Sequence, residues 1–494
     1  MQERRRLFFW AFAIVALVTL VRVAVLVVSP LELYPDEAQY WWWAQTPDLG
    51  YFSKPPLIAW IIWATTSLFG DSEWAIRIGM PLLHGGAALL LFAIGRASFP
   101  RSPMIAFWSA LAYLTLPGVS YSAGLASTDA PLLFFWALAL LAFIRGVQTN
   151  AWPWALLCGV ALGFGILAKY AMLFFAVSAP LAAFAKPEIR KFVLGRGGLL
   201  AAAVAGVIVA PNIVWNTSHH FATLAHTETN ADWMRARFSL LHLAEFLAGQ
   251  FGVFGPVLMA AWLAALWRLG RGGARTTEEA ALVAFSAVPL LLIAAQSFVA
   301  EANANWAATA FVAAVPLALD QILRFWPRPA LPASFALHGL VLALLWLVLI
   351  WPPAAERLGV GNVFKRQEGW RALAGVVSGE FAHGGYSAIA TDNRSVTAEL
   401  LYYLRPRGLP VRIWDPDLAN HNHFEMTMRL TAPAPHTLLV VEPENETQVL
   451  STFESKRLVT RVAAPVGGRH VRVMDLYEAS FYRGPADLNA AQSR

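Results

Sequence analysis

Charge is what this sequence has least of. Only 14% of its 494 residues are Asp, Glu, Lys or Arg, where a soluble domain carries about 25%. With 57% hydrophobic residues and a mean hydropathy of +0.52, the composition excludes an ordinary soluble protein and fits a chain that crosses a membrane repeatedly. Cysteine is nearly missing as well. The single copy, Cys158, lies in an apolar run and can form no intrachain disulfide. There is no P-loop and no G-x-G-x-x-G after a strand, so the usual cradles for nucleotide phosphates are absent. No H-E-x-x-H or similar spacing occurs either, and the grouped His219, His220, His226, Glu228 and Asp232 do not form a recognisable metal-ligand pattern. No metal and no cofactor is expected. The pI near 9.5 could suggest nucleic acid. Here, however, the basic residues fall in short loops between apolar spans, which is a signature of membrane topology, and no nucleic-acid partner is expected.

The hydrophobic length is distributed over many runs. Glu3-Arg4-Arg5-Arg6 leads into an apolar stretch of about 22 residues, long enough to stay as a span rather than be cleaved as a signal. Spans are predicted at 7–29, 79–98, 104–121, 130–146, 153–168, 170–186, 198–215, 242–267, 280–299, 305–323 and 331–351. With the N-terminus inside, the inside loops collect Arg4 to Arg6, Arg96, Arg101, Arg145, Lys186, Arg190, Lys191, Arg196, Arg268, Arg271, Arg275, Arg324 and Arg328. The outside loops hold most of the acids. About eleven spans with the C-terminus outside is the consistent solution. The narrowest separation is Ala168-Lys169-Tyr170, between the fifth and sixth spans.

Beyond Trp351-Pro352-Pro353 the composition changes. Short apolar strands are predicted at 386–391, 411–414, 437–441 and 469–476, with a helix at 398–404 among them. The expected organisation is a membrane part, 1–352, with a first outside loop at 30–78, then a small outer α/β domain, 353–484, and a tail, 485–494. The fold class is an α-helical polytopic membrane protein with a small C-terminal α/β domain. The localisation that follows is a multi-pass bacterial inner-membrane protein with its outer domain in the periplasm.

The chemistry concentrates in the outside loops. The first reads LELYPDEAQYWWWAQTPDLGYFSKPPLIAW, with the acid pair Asp36-Glu37 and Lys54 before a double proline. Its aromatic residues suit the membrane interface. A carboxylate there could take a proton from an acceptor hydroxyl while the cation holds the phosphate of a lipid-borne donor. An interfacial loop with solvated charges is the plainer alternative. Asp129 stands at the mouth of the fourth span, with Ser127 or Thr128 available to cap that helix, and is either a dipole partner or a substrate contact. Lys169 interrupts an apolar region, where a cation is costly unless it snorkels to the interface and meets an anion such as phosphate. Arg235 and Arg237 are candidate phosphate contacts, because a guanidinium fork suits that geometry. Asn303 and Asn305 suit sugar hydroxyls, although helix capping also accounts for them. Asp415-Pro416-Asp417 imitates a metal-binding D-x-D but is better read as a turn. Asn216-Thr217-Ser218 and Asn445-Glu446-Thr447 match a glycosylation pattern too common to carry weight.

YPDEAQYW, YFSKPPLIAW, STDAP, LAKY, PNIVWN and ANW, taken along the chain, resemble the bacterial branch of the protein O-mannosyltransferase-like superfamily. That superfamily comprises membrane-embedded glycosyltransferases of the GT-C type, among them the lipid A aminoarabinose transferases and rhizobial galacturonosyltransferases. The resemblance covers the membrane part. It implies a GT-C fold and transfer of a sugar from a polyprenyl phosphate to a lipid, glycan or protein acceptor among membrane lipids. It places the catalytic aspartate on Asp36, with Glu37 beside it, the donor-phosphate lysine on Lys54 and the second-loop acid on Asp129. It assigns nothing to Lys169, Arg235 or Arg237. The pieces TDNRSVTAELLYYLR and NHNHFEM also resemble bacterial members, without a role attached. The implied reaction is direct displacement with Asp36 as base. A transporter or flippase of a lipid-linked sugar is the alternative, although it should show midplane charges and inverted repeats that this chain does not.

Overall fold

A computed structural model describes residues 2–231, 238–468 and 470–484, and these form two compact units. The first comprises the described residues of Met1–Val28, Lys54–Gly70 and Trp74–Trp346. The second comprises those of Ser29–Ser53, Asp71–Glu73 and Leu347–Arg494. This division departs from the expected boundary near 352, because the first half of the first loop belongs with the C-terminal residues.

The first unit is helical. Among the described residues, six helices are long and apolar enough to cross a membrane: Arg5–Val28, Glu73–Ser98, Asp129–Thr149, Arg196–Ser218, Thr277–Val299 and Ala330–Ile350. Shorter apolar helices are Leu57–Phe69, Pro103–Thr115, Trp152–Ala168 and Tyr170–Ala185. Leu57–Phe69 falls where a loop was expected, since thirteen residues are too few to announce a crossing. The span expected at 242–267 is instead two helices, Leu240–Phe254 and Pro256–Gly272, bent by 110°. Gly255 makes the corner at φ +87°, a conformation that side chains resist, and His338 occupies the space where its Cβ would sit. Pro256, lacking an N–H, then starts the next helix.

The span expected at 104–121 is likewise divided before Pro117, into Pro103–Thr115 and Pro117–Ser122. Buried Arg22 donates from Nη2 to the Leu114 carbonyl at 2.6 Å, satisfying an acceptor that the break leaves over. Small residues set the closest helix approaches. A Cβ on Gly159 would lie 2.6 Å from the Ala201 carbonyl oxygen, so Trp152–Ala168 and Arg196–Ser218 meet nearly backbone to backbone. Elsewhere the core is filled by rings, with Phe175 edge-on to Trp136 at 5.3 Å and tilted on Phe285 at 4.3 Å.

The second unit carries a five-stranded sheet of β1 (Ala388–Thr391), β2 (Val411–Ile413), β3 (His436–Val441), β4 (Phe453–Pro465) and β5 (Val471–Tyr482). Its order is β2-β1-β3-β5-β4. The pairs β1–β2 and β1–β3 are parallel, and β3–β5 and β4–β5 antiparallel. Strands β1 and β3 are nearly continuous apolar runs because they lie inside the sheet. Strand β4 was not among the expected strands. It is an edge strand, ESKRLVTR is mostly polar, and such charge protects an edge from pairing elsewhere. Helix Pro35–Gln45, from the first loop, and helix Arg394–Tyr403 pack together in this unit.

Candidate active site

In the second unit the first loop is held almost residue by residue. Glu32 Oε2 accepts from the Trp370 N–H at 2.6 Å, and burial pushes its carboxyl above the usual range despite that bond. The Leu33 N–H donates to Tyr403 Oη at 2.9 Å, and the Arg366 guanidinium lies over the Tyr34 ring at 4.6 Å. Pro35 then starts the helix with its φ preset. Glu37 is fully buried. Its N–H donates to the Tyr34 carbonyl at 2.7 Å, while its Oε2 accepts from the Tyr34 N–H at 2.9 Å. The second of the two acids is therefore engaged in capping the helix that carries the first.

Asp36 remains half-exposed. Its Oδ1 accepts from Arg394 Nη1 at 2.7 Å, and the same nitrogen donates to Gln39 Oε1 at 2.8 Å. Arg394 is placed by the residues before it. Where β1 ends, Asp392 Oδ2 accepts from the Glu442 N–H and from Asn445 Nδ2, each at 2.9 Å. Asn393 Oδ1 accepts from the Val396 N–H at 3.0 Å and caps helix Arg394–Tyr403, so Arg394 is its first residue. Further along the loop, Trp41 donates from Nε1 to Asp71 Oδ1 at 2.6 Å and meets Tyr402 edge-on at 5.0 Å. Trp43 stacks on Tyr51 at 4.5 Å, with His423 edge-on to both rings. Arg394 and His423 come from the two C-terminal pieces that resembled bacterial relatives. That resemblance was the only signal for them, because neither has a periodicity or spacing of its own.

The first unit gathers another part of the expected set. Asp129 begins helix Asp129–Thr149. Its Oδ1 accepts from Lys169 Nζ at 2.6 Å and its Oδ2 from Asn305 Nδ2 at 2.6 Å. Lys169 thus finds a carboxylate inside the protein, and it does so from the extended residue that ends helix Trp152–Ala168. Among the described residues the expected caps at this helix start are not made: Thr128 supplies no side-chain cap bond, and Ser127 Oγ is buried without a hydrogen-bond partner. Asn303 is exposed ahead of the short turn Ala304–Ala307. Lys54 is half-buried, and its charge acts on Asp129. Arg235 and Arg237 lie outside the described residues. Asp415 is a turn residue, its Oδ1 accepting from the N–H groups of Asp417 and Leu418 at 3.1 and 2.9 Å.

Residues 53–215 match the family model of dolichyl-phosphate-mannose-protein mannosyltransferase. Over 412 residues the chain is 38% identical to the lipid A galacturonosyltransferase RgtD of Rhizobium johnstonii, covering 81% of this chain and 86% of that protein. The chain belongs to this family of membrane glycosyltransferases. Another relative of this glycosyltransferase is the undecaprenyl phosphate-alpha-4-amino-4-deoxy-L-arabinose arabinosyl transferase 2 of Pseudomonas fluorescens, 30% identical over 152 residues, 27% of each chain. The crystal structure of ArnT from Cupriavidus metallidurans bound to undecaprenyl phosphate matches with a TM-score of 0.64 at 17% identity, covering 95% of this chain and 97% of that one. The glycosyltransferase is thus a multi-pass membrane protein with the GT-C fold and a small C-terminal α/β part.

Proposed function

We propose that this glycosyltransferase takes a galacturonosyl group from a polyprenyl phosphate and gives it to a hydroxyl of lipid A or of the lipopolysaccharide core. The observation that carries this reading is the 38% identity to a lipid A galacturonosyltransferase over most of both chains. The lipid donor is supported by the undecaprenyl phosphate named for the Pseudomonas relative and bound in the Cupriavidus structure. Asp36 is the base: the acceptor O–H gives it a proton as the oxygen attacks the anomeric carbon. The bond from that carbon to the phosphate breaks, and its electron pair leaves with the polyprenyl phosphate. Lys54 balances the charge that develops on this phosphate, with Arg235, Arg237 and the sugar-facing Asn303 as further contacts. Glu37 supports the helix and does not act on substrate. Asp129, Lys169 and Asn305 form the polar cluster whose charge Lys54 feels. No nucleotide is needed, because the donor arrives already activated.

The reaction is tested with the purified full-length protein, galacturonosyl polyprenyl phosphate and lipid A in detergent, reading the mass of the lipid product. A gain of one uronosyl residue is expected, and an unchanged acceptor would end the assignment. We also place the site and the C-terminal part in the periplasm, on the bias of Arg and Lys between loops. Alkaline phosphatase fused after Pro353 should be active and the same fusion after Arg275 inactive. The reverse pattern would overturn the orientation.

A further inference from the structure

Arg394 is bound on one edge only. Both hydrogens of its Nη1 are used, one on Asp36 Oδ1 at 2.7 Å and one on Gln39 Oε1 at 2.8 Å. Its Nε and Nη2 make no hydrogen bond among the described residues, and 32% of the side chain is exposed. Those two nitrogens form the flat side of the guanidinium, where two parallel N–H groups match the two oxygens of a carboxylate. An arginine needed only to neutralise Asp36 has no use for this open edge, and a lysine would serve as well.

We infer that Arg394 is a specificity residue: its Nε/Nη2 edge binds the carboxylate of a uronosyl group on the donor while its Nη1 continues to hold Asp36. The inference rests on the proposed function and adds to it the residue that reads the acid sugar. One planar group would then span the base and the sugar, so that recognition of the carboxylate fixes the sugar with respect to the oxygen that accepts the proton. The remaining contacts suit this use. Asn393 and Asp392 fix the start of the helix from behind, so the guanidinium is held by its own edge bonds and by a rigid backbone. The Asp36–Arg394 pair is neutral overall, but both side chains are partly exposed, so a second carboxylate can reach the two open N–H groups without being fully desolvated. A neutral hexosyl group has a hydroxymethyl in place of the carboxylate and offers no anion to this edge.

The test compares two lipids that differ only at carbon 6, galacturonosyl and galactosyl polyprenyl phosphate, each used as donor and as competitor against labelled galacturonosyl donor. Wild type should favour the uronosyl lipid. Arg394→Gln disturbs Asp36 and so slows transfer from either lipid, but the preference in kcat/KM and in competition should shrink by roughly 10- to 100-fold. Arg394→Lys restores a cation beside Asp36 without the fork. It should recover more of the galactosyl rate than of the galacturonosyl rate, a pattern that misfolding cannot produce. If both variants slow the two lipids by the same factor, Arg394 only positions Asp36 and the inference fails. If wild type binds the two lipids equally while transferring galacturonate, the inference also fails, but the proposed function stands. If wild type transfers neither sugar, the proposed function falls and this inference with it.

Discussion

Asp129 and Asp36 each face a cation at nearly the same distance, 2.6 Å to Lys169 and 2.7 Å to Arg394. They differ in what is left over. Asp129 is 14% exposed, and both of its oxygens are bonded within the first unit. Asp36 is 42% exposed, with a hydrogen bond at Oδ1 and none at Oδ2 among the described residues. A largely buried carboxylate whose two oxygens each accept a hydrogen bond is expensive to disturb and poorly placed to accept a proton. A half-exposed one with an unused oxygen is cheap to disturb and open to an acceptor hydroxyl. Equal ion-pair lengths therefore do not imply equal roles. Accessibility and unused hydrogen-bonding capacity separate the two.

The largest effect that would sharpen this comparison is on turnover. Asp36→Asn keeps size and most hydrogen bonding but removes the base, so transfer should fall by about 10²-fold or more, with the melting temperature in detergent little changed. A rate within a few-fold of wild type would put the base elsewhere. Next in size is a loss of stability. Lys169→Met leaves the largely buried Asp129 charge with only the Asn305 hydrogen bond and the charge of Lys54, and should cost up to about 3 kcal/mol, read as a lower melting temperature. Adding Asp129→Asn should recover part of that loss. A single variant that melts like wild type would mean that the buried pair is not structural.

The smallest effect belongs to a half-exposed surface pair, Asp417 and His421, at 3.0 Å. Its hydrogen bond raises the His421 pKa above 6.5 and lowers that of Asp417 below 3.8. A raised histidine contributes stability below its ordinary pKa and loses it as pH rises through the folded value. A depressed aspartate loses its contribution as pH falls through its own. His421→Gln should therefore differ from wild type by less than about 1 kcal/mol after screening, and only between those two limits. A difference persisting at pH 9 would rule out this pair as its source.

Much of this was legible in the sequence for physical reasons. Long apolar runs have few alternatives to membrane helices, and the motif around Asp36 resembled one family specifically. Breaks within helices were harder to see. Gly255-Pro256 stands inside a run apolar enough to be one span, and only the φ of +87° shows that the chain turns there. The partners of the candidate residues were not visible at all. Lys169 is 40 residues from Asp129, and Asn305 is 176 from it. No local pattern encodes such pairing. Arg394 was hidden for the same reason, although the run TDNR already contained the aspartate that ties down its loop and the asparagine that caps its helix.

The distance from Asp36 to Arg394, 358 residues along the chain, also has a meaning in time. Ribosomes add about 5–20 residues per second, so the first loop leaves the ribosome roughly 20 to 70 seconds before its partner is made. Throughout that interval Leu33, Trp41 and Trp43 lack Tyr403, Tyr402 and His423, and Asp36 has no guanidinium to hold it. An unfinished chain that ends before Arg394 carries its acid without the groups that orient it. The Asp36–Arg394 pair therefore waits for the last fifth of the chain's own synthesis.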